Sequence, residues 1–363
     1  MKNTFGNALT LTLFGESHGE GIGCVLDGLA PGMEVNLEEI RRALSKRRPA
    51  GKISTGRSEP DEFQIVSGVW EGKTTGTPLC ILIPNVAQRS KDYDKKPAYR
   101  PGHADFTADM KYHGFQDVRG GGHFSGRITA PLVAAGAILR SALAKKGIVI
   151  GTHIASVHGV KDTPFSGTAE EMAYLEEAAF PTLSPEAGER MQAEILAAKE
   201  AGDSVGGTLE TVVTGLPAGV GEPWFDTVEG LLSHTIFSIP AIKGIEFGAG
   251  FGFAELRGSE ANDPFYAEDG VIRTRTNQNG GINGGITNGM PLVFRTVVKP
   301  TPTISKEQDT VSSATGENCK LSSGGRHDPC IVHRARIVQD SVTALVLCDA
   351  LTTRYGTDWL AEK

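Results

Sequence analysis

A pattern that occurs twice narrows the fold of this chain more than any other feature. Gly15-Glu-Ser-His-Gly19 leads to Gly28-Leu29, and Gly202-Asp-Ser-Val-Gly206 leads to Gly215-Leu216. In both copies the glycine-leucine pair follows the first glycine by 13 positions, across a strand-like stretch (Cys24–Leu26 and Leu209–Val213). A fainter echo sets Gly121-Gly122-His123 and Gly325-Arg326-His327 each before a long helical stretch. The pattern predicts a duplicated strand–helix unit, its halves at about 1–147 and 200–356, within a single domain covering 1–363. The copies differ where chemistry would be placed: His18 in the first is Val205 in the second. A residue needed only for backbone geometry should recur in both copies, whereas one needed for chemistry need not.

The echo belongs to a wider glycine surplus, 46 in 363 residues, about 13% where ~7% is usual. No Gly-X-Y period accompanies it, which excludes a collagen-like chain. The surplus must then serve positive φ, tight turns, or close approach of main chain to a ligand.

Asn36 with Glu39 predicts a helix to about Arg48 that Pro49 stops. Further helices are predicted from Pro131 to Gly147, from Ser184-Pro185 to near Gly202, and from about Ala335 to Tyr355. Strand-like segments are Ala8–Phe14, Phe63–Trp70, Leu79–Ile83, Ile148–Val157, Thr208–Thr214, Ile245–Leu256 and Leu292–Lys299. Several follow one another with no helix between, which points to an α+β fold with antiparallel pairing.

The net charge of −7 and pI near 5.8 argue against a general nucleic-acid binder. Cys24, Cys80, Cys319, Cys330 and Cys348 form no CxxC pair and read as buried thiols of a reducing compartment. The apolar run Ile128–Leu143 contains Arg140 and reads as too short to span a membrane, so a cytoplasmic location is expected. The histidines lack metal-ligand spacing, and no metal is expected.

Four clusters carry possible chemistry. Ser17-His18 is flanked by glycines; Arg100-Pro101-Gly102-His103-Ala104-Asp105 sets a histidine in a fixed loop; Arg119 to Arg127 places glycines ahead of a helix; Gly324 to Cys330 does the same. Glycines before a helix expose N–H groups to an anion, though no nucleotide P-loop is present. Arg41 to Ser58 holds seven cations and no acid. Such a run is usually a solvated face, yet a multiply anionic ligand would need one. Aromatics do not interleave with it, which disfavours nucleic acid as the partner. The residues alone lead to an enzyme with a phosphate-bearing, polyanionic ligand and histidine acid–base chemistry, and no further.

At these clusters the sequence closely resembles the chorismate synthase family. The resemblance runs in order through Gly15-Glu-Ser-His-Gly19, Lys46-Arg-Arg-Pro49, Ser67 to Gly76, Arg89-Ser-Lys-Asp-Tyr93, Arg100 to Asp105, Arg119 to Gly122, Lys243-Gly-Ile-Glu246, Gly280 to Gly285, Lys299-Pro-Thr301 and Arg326-His-Asp-Pro-Cys330. It implies a β-α-β sandwich with internal duplication, helices between mostly antiparallel sheets, in a homotetramer. The implied activity is a carbon–oxygen lyase of aromatic amino acid biosynthesis. It takes 5-enolpyruvylshikimate 3-phosphate to chorismate and phosphate with reduced FMN and no net redox change. By the same resemblance His18 is the acid near the leaving phosphate, His103 the imidazole beside the flavin, and Asp328 the carboxylate near flavin N5. Ser17 and Ser125 match serines of that site, and Arg47, Arg100, Arg127 and Arg326 match arginines that clamp phosphate and carboxylates. Flavin contacts are implied for Arg47, His123, Phe124, Ser125, Pro240, Ala241, Gly284, Lys299, Pro300, Thr301, Pro302, Thr303 and Arg326. Departures are Ser125-Gly-Arg-Ile-Thr129 where Ser-Ala-Arg-Glu-Thr is common, and Asp340 where glutamate is commoner, read as structural. No separate nicotinamide (NADP) domain is evident, so reduction of the flavin is expected from an outside partner.

Overall fold

Two antiparallel sheets enclose a layer of helices, and short-range signals set many of the element ends. The structure is a computed structural model that describes residues 2–49, 51–54, 60–86, 98–322 and 328–361. The first sheet contains β1 (Thr4–Phe5), β2 (Thr10–Gly15), β3 (Gly21–Asp27), β4 (Gln64–Ser67) and, beyond a hairpin of β5 (Val69–Trp70) and β6 (Lys73–Thr74), β7 (Leu79–Pro84). Its order is β1-β2-β3-β7-β4. The second contains β8 (Val149–Val157), β9 (Val160–Lys161), β10 (Gly207–Thr214) and β11 (Ile242–Phe247). Two hairpins follow, β12 (Phe265–Glu268) with β13 (Val271–Thr274) and β14 (Ile282–Asn283) with β15 (Ile286–Thr287). After them β16 (Leu292–Val298) completes the order β11-β16-β10-β8-β9. A last hairpin pairs β17 (Gln308–Val311) with β18 (Asn318–Leu321).

The helices are α1 (Leu37–Ser45), α2 (Asp105–Tyr112), α3 (Thr129–Lys145), α4 (Ala169–Glu177), α5 (Pro185–Glu200), α6 (Val228–Ile236), α7 (Gly258–Ala261) and α8 (Val332–Tyr355). Asn36 caps α1 by accepting from the N–H groups of Glu38 and Glu39, and Ser184 caps α5 by accepting from Ala187. α3 packs on β3 and β7, α8 packs on β8 and β10, and the two helices pack on each other. Each therefore has an apolar neighbour on every side, and both are buried around most of their circumference. The arrangement is the expected α+β sandwich.

The two central helices meet at Gly136 and Ser341. A Cβ on Gly136 would stand 2.3 Å from the Ser341 Cβ, so only hydrogen fits there. The interface between α8 and the second sheet is partly polar but hydrogen-bonded. Asp340 accepts from Thr152 (2.5 Å), Thr296 donates to the Gln339 amide oxygen (2.6 Å), and Gln339 donates to Thr211 (2.8 Å). Asp340 is thus the structural residue that the sequence suggests.

Three expectations change. The segment 245–256 is not one strand: β11 stops at Phe247, and Gly250–Glu255 is a 3-10 helix. Gly248 and Gly250 take positive φ, and Glu246 Oε2 accepts from Phe251 N–H (3.0 Å), which turns the chain away from the sheet. The apolar helical run is longer than the sequence suggests. Gly126–Lys145 spans 20 residues, long and apolar enough to cross a membrane by length and composition, but it is 78% buried against the rest of the protein. Finally, Cys24, Cys330 and Cys348 are buried, whereas Cys80, on the less covered face of β7, and Cys319, in the two-stranded hairpin of β17 and β18, are only half-buried.

On the far face of the second sheet His153, Glu210, Arg295 and Glu246 form a row of alternating charge across β8, β10, β16 and β11. His153 Nδ1 faces Asp162 Oδ2 (2.9 Å) and Nε2 faces Glu210 Oε2 (3.1 Å), so both nitrogens donate only in the imidazolium. Burial pushes its pKa down, but hydrogen bonds to the two carboxylates and their charge leave it above the ordinary 6.5. A raised folded pKa gives stability that is full below 6.5 and lost as pH rises through the folded value. Urea unfolding at several pH values should therefore show a decline in stability from pH 6.5 upward that His153→Gln lacks. Equal slopes in the two proteins would sink this reading.

Gly136→Ala pits helix propensity against packing. Alanine favours a helix by about 1 kcal/mol over glycine, while overpacking a tight core contact costs about 1–3 kcal/mol. The contact is shorter than side chains tolerate, so the variant should lose about 1–2 kcal/mol, and Ser341→Gly in the same chain should restore part of it. A more stable Gly136→Ala in denaturant titrations would show that the helices can part.

Candidate active site

Gly120 gathers the first part of the site. A Cβ there would stand 2.4 Å from the His18 ring and 3.1 Å from Ser17 Oγ, so the main chain passes directly against both side chains. Ser17 and His18 are buried in the turn between β2 and β3, with Ser17 Oγ 3.0 Å from His18 Nδ1. The turn is tied down where Ser17 N–H donates to Gly122 O (3.1 Å) and where His123 Nδ1 lies 2.8 Å from Gly15 O.

The carbonyl of Gly120 accepts from Arg100 Nη2 (3.0 Å), which brings in the second histidine. Arg100 Nη2 also donates to Asp105 Oδ1 (2.7 Å), and Nε donates to Oδ2 (2.7 Å). With both Nη2 hydrogens so used, the 2.9 Å approach of His103 Nδ1 to Nη2 is not a hydrogen bond. His103 Nδ1 instead donates to Asp105 Oδ1 at 2.8 Å. This pairing favours the tautomer with its proton on Nδ1. Burial pushes the Asp105 carboxyl up, but hydrogen bonds and charge from Arg100 and His103 hold it well below the usual carboxylate range.

A second group lies around Arg127, in the 3-10 turn just before α3. Arg127 N–H donates to Ser125 Oγ (3.2 Å), and Nε donates to Asn85 Oδ1 (3.1 Å). Asn85 Nδ2 donates in turn to Glu16 O (2.9 Å) and Gly19 O (3.0 Å), the two ends of the Ser17-His18 turn. Asp61 accepts from Arg127 Nη1 with one oxygen and from Arg47 Nη1 (3.2 Å) with the other. Arg47 is buried at the end of α1, with Nε donating to Thr129 Oγ1 (3.1 Å) and Nη2 to Gly126 O (3.0 Å). Its backbone oxygen accepts from Arg334 Nε (2.6 Å), and Arg334 Nη1 bonds Asp328 Oδ2 (2.5 Å).

The third group is Pro240-Ala241 with Lys299, Pro300, Thr301, Pro302 and Thr303. Lys299 N–H donates to Ala241 O (2.9 Å), and Lys299 Nζ donates to Gly102 O (2.6 Å), next to His103. The second copy of the echo acts as scaffold here. Ser204 Oγ donates to Thr301 O (2.7 Å), and Val205 N–H donates to Pro329 O (2.9 Å), beside Asp328. His123 and Phe124 stand in the 3-10 turn Gly122–Phe124, with Phe124 edge-on to Tyr112. Gly284 lies apart from this chain of contacts, exposed at the turn between β14 and β15. Arg326 and the Arg89 motif lie outside the described residues.

Sequence reasoning passed over Asp61, Asn85 and Arg334, which join the groups together. Each is a single polar residue in an unremarkable setting, so no local signal points to it. The cation run also reads differently in three dimensions. Arg42 and Lys46 pair with Glu176 and Glu177 of α4, and Arg47 pairs with Asp61. A cavity of about 430 Å³, lined by Arg41, Arg48, Asp61 and Phe63 among others, shares Asp61 with the site but holds none of His18, His103 or Asp328.

A family model described as chorismate synthase matches residues 9–352. The chain belongs to the chorismate synthase family. The chorismate synthase of Dehalococcoides mccartyi is 46% identical over 98% of both chains. That of Thermococcus kodakarensis is 44% identical over 96% of this chain and 97% of its own. A crystal structure of chorismate synthase superposes with a TM-score of 0.77 at 30% identity, covering 98% of this chain and 95% of the other. The chain is thus an enzyme of the family that serves the shikimate pathway and aromatic biosynthesis, as the sequence suggests.

Asn85 bridges the Ser17-His18 turn and Arg127, so Asn85→Ala should disturb the site more than the fold. Losing these bonds should cost about 1–3 kcal/mol in transition-state stabilisation, a 5- to 150-fold fall in kcat/KM, with only a few degrees lost in Tm. A fall in Tm with unchanged kcat/KM would make Asn85 a purely structural tie.

Proposed function

We propose that the chain carries out its family's reaction on 5-enolpyruvylshikimate 3-phosphate: 1,4-anti-elimination of phosphate to give chorismate, the last common step of the shikimate pathway. The observation that carries this reading is the meeting of His18 and the Arg100–His103–Asp105 group at Gly120. Two imidazoles of different environment close to several arginines support the reading.

The residues present fit a flavin. Thr301 Oγ1 is buried with no hydrogen-bond partner among the described residues, a costly state that a bound polar group would relieve. Burial and the charge of Lys243 lower the pKa of Lys299, a cation suited to an anionic group. Lys299, Pro300, Thr301, Pro302 and Thr303 with Pro240, Ala241, His123, Phe124 and Ser125 would hold FMN, joined by Arg47, Gly284 and Arg326. Reduced FMN, when bound, supplies transient electron density that lets the C–O bond break although the C6 proton is weakly acidic.

The protein's part is positioning and proton transfer. Arg47, Arg100, Arg127 and Arg326, with Ser17 and Ser125, bind the phosphate and the two carboxylates of the substrate. His18 protonates the departing phosphate. Asp328, oriented by Arg334, assists removal of the C6 proton, and His103 exchanges a proton at Nε2 beside the flavin.

The same reading takes the chain as one domain of two related halves, about 1–147 and 200–356. Supporting it, Gly28 and Gly215 end β3 and β10 in matching surroundings. A Cβ on Gly28 would lie 2.1 Å from Ala8 O, and one on Gly215 would lie 2.0 Å from Gly147 O. A cytoplasmic homotetramer is proposed, with flavin reduced by an external system. Trp224, Phe225 and Phe251 are 85, 94 and 87% exposed, apolar surface suited to subunit contact.

Phosphate release under nitrogen tests the function. Activity should require reductant and FMN, with many turnovers per flavin, because no electrons leave in the product. His18→Ala should retain flavin and lose about 10²–10⁴-fold in turnover. Full activity with oxidised flavin, or normal turnover in His18→Ala, would refute the mechanism.

A further inference from the structure

Asp61 is an acid in the middle of a proposed anion site. It is 6% exposed, with one oxygen on Arg47 and the other on Arg127. Both guanidinium groups are themselves about nine-tenths buried. Its backbone sits at φ +51, in the left-handed region, which aspartate tolerates better than most residues but which still needs surroundings that hold it. Two buried guanidinium groups side by side repel each other, and a carboxylate between them offsets that repulsion. The bridging carboxylate holds N–H groups of both arginines at once. An incoming phosphate or carboxylate would make the same kind of contact to the same N–H groups.

We propose that Asp61 is the resident anion of the substrate site and sets its affinity for phosphate-bearing ligands. It keeps Arg47 and Arg127 paired while the site is free of ligand. When an anionic group arrives, the two arginines are shared with it, so the ligand is held less tightly than two unopposed arginines would hold it. For an enzyme that must release inorganic phosphate, weaker retention of that product favours turnover. The proposal rests on the reading of Arg47 and Arg127 as the anion site, and its test needs neither flavin nor substrate.

The measurement is binding of inorganic phosphate to the full-length chain by calorimetry, in chloride buffer at fixed ionic strength. Asp61→Asn keeps the shape and removes the charge, so it should bind phosphate at least about 10-fold more tightly than the parent protein. Its melting temperature should be lower in chloride and should rise with phosphate by more than the parent's does. Arg127→Gln should weaken phosphate binding in either background. Equal or weaker phosphate binding by Asp61→Asn, with Arg127→Gln still weakening it, overturns the role of Asp61 alone. Unchanged phosphate affinity in Arg127→Gln overturns the anion site itself, and the proposal with it. Should Asp61→Asn fail to fold in chloride, folding in phosphate supports the proposal, and failure in both buffers overturns it.

Discussion

The contact of α3 with α8 is the constraint on which the rest of the molecule depends. Each helix covers one sheet, so neither can turn a polar face to water, and both must be apolar nearly all round. The helices approach until Gly136 meets Ser341, and that spacing sets the distance between the sheets. Part of the site is hung from the ends of these two helices. Arg127 stands in the turn that leads into α3, and Asp328 and Arg334 stand at the start of α8.

Because the site lies where those ends meet, its members come from remote parts of the chain. Polar links carry the geometry across: Asp328 to Arg334, Arg334 to the Arg47 main chain, Arg47 to Asp61, Asp61 to Arg127, and Arg127 through Asn85 to the Ser17-His18 turn. Such a chain works only if its members are buried and mutually satisfied, since a half-paired buried charge costs more than it contributes. The arginines act as struts within the protein, whatever else they hold. Arg47, with all three of its nitrogens bonded within the protein, is the clearest case.

The two copies of the glycine pattern divide the labour. The first carries Ser17 and His18 and is held against Gly120 and Gly122. The second carries Ser204 and Val205, whose bonds position Thr301 and Pro329. One copy of the sequence pattern thus presents a histidine, and the other supports residues around Thr301 and Asp328. The charged row through His153, Glu210, Arg295 and Glu246 is separate from this, on the sheet face opposite α8.

The sequence by itself determined the α+β class, the antiparallel pairing, the four longest predicted helices within a few residues, and the family through its ordered motifs. Those are local or repetitive signals: Asn36 and Ser184 as caps, apolar periodicity in α3 and α8, and glycine spacing that survives along the chain. It also marked Ser17, His18, His103 and Asp328, because each stands in a distinctive cluster. Only the tertiary structure decided which cations of the Arg41–Ser58 run pair with acids, since the acids facing Lys46 and Arg47 come from α4 and from Asp61. Nor could a one-dimensional reading separate the strand of β11 from the 3-10 turn after it, where a side chain captures the backbone N–H. Asp61, Asn85 and Arg334 act through partners far away in sequence, and a hydrogen bond across the fold leaves no trace in the residues on either side.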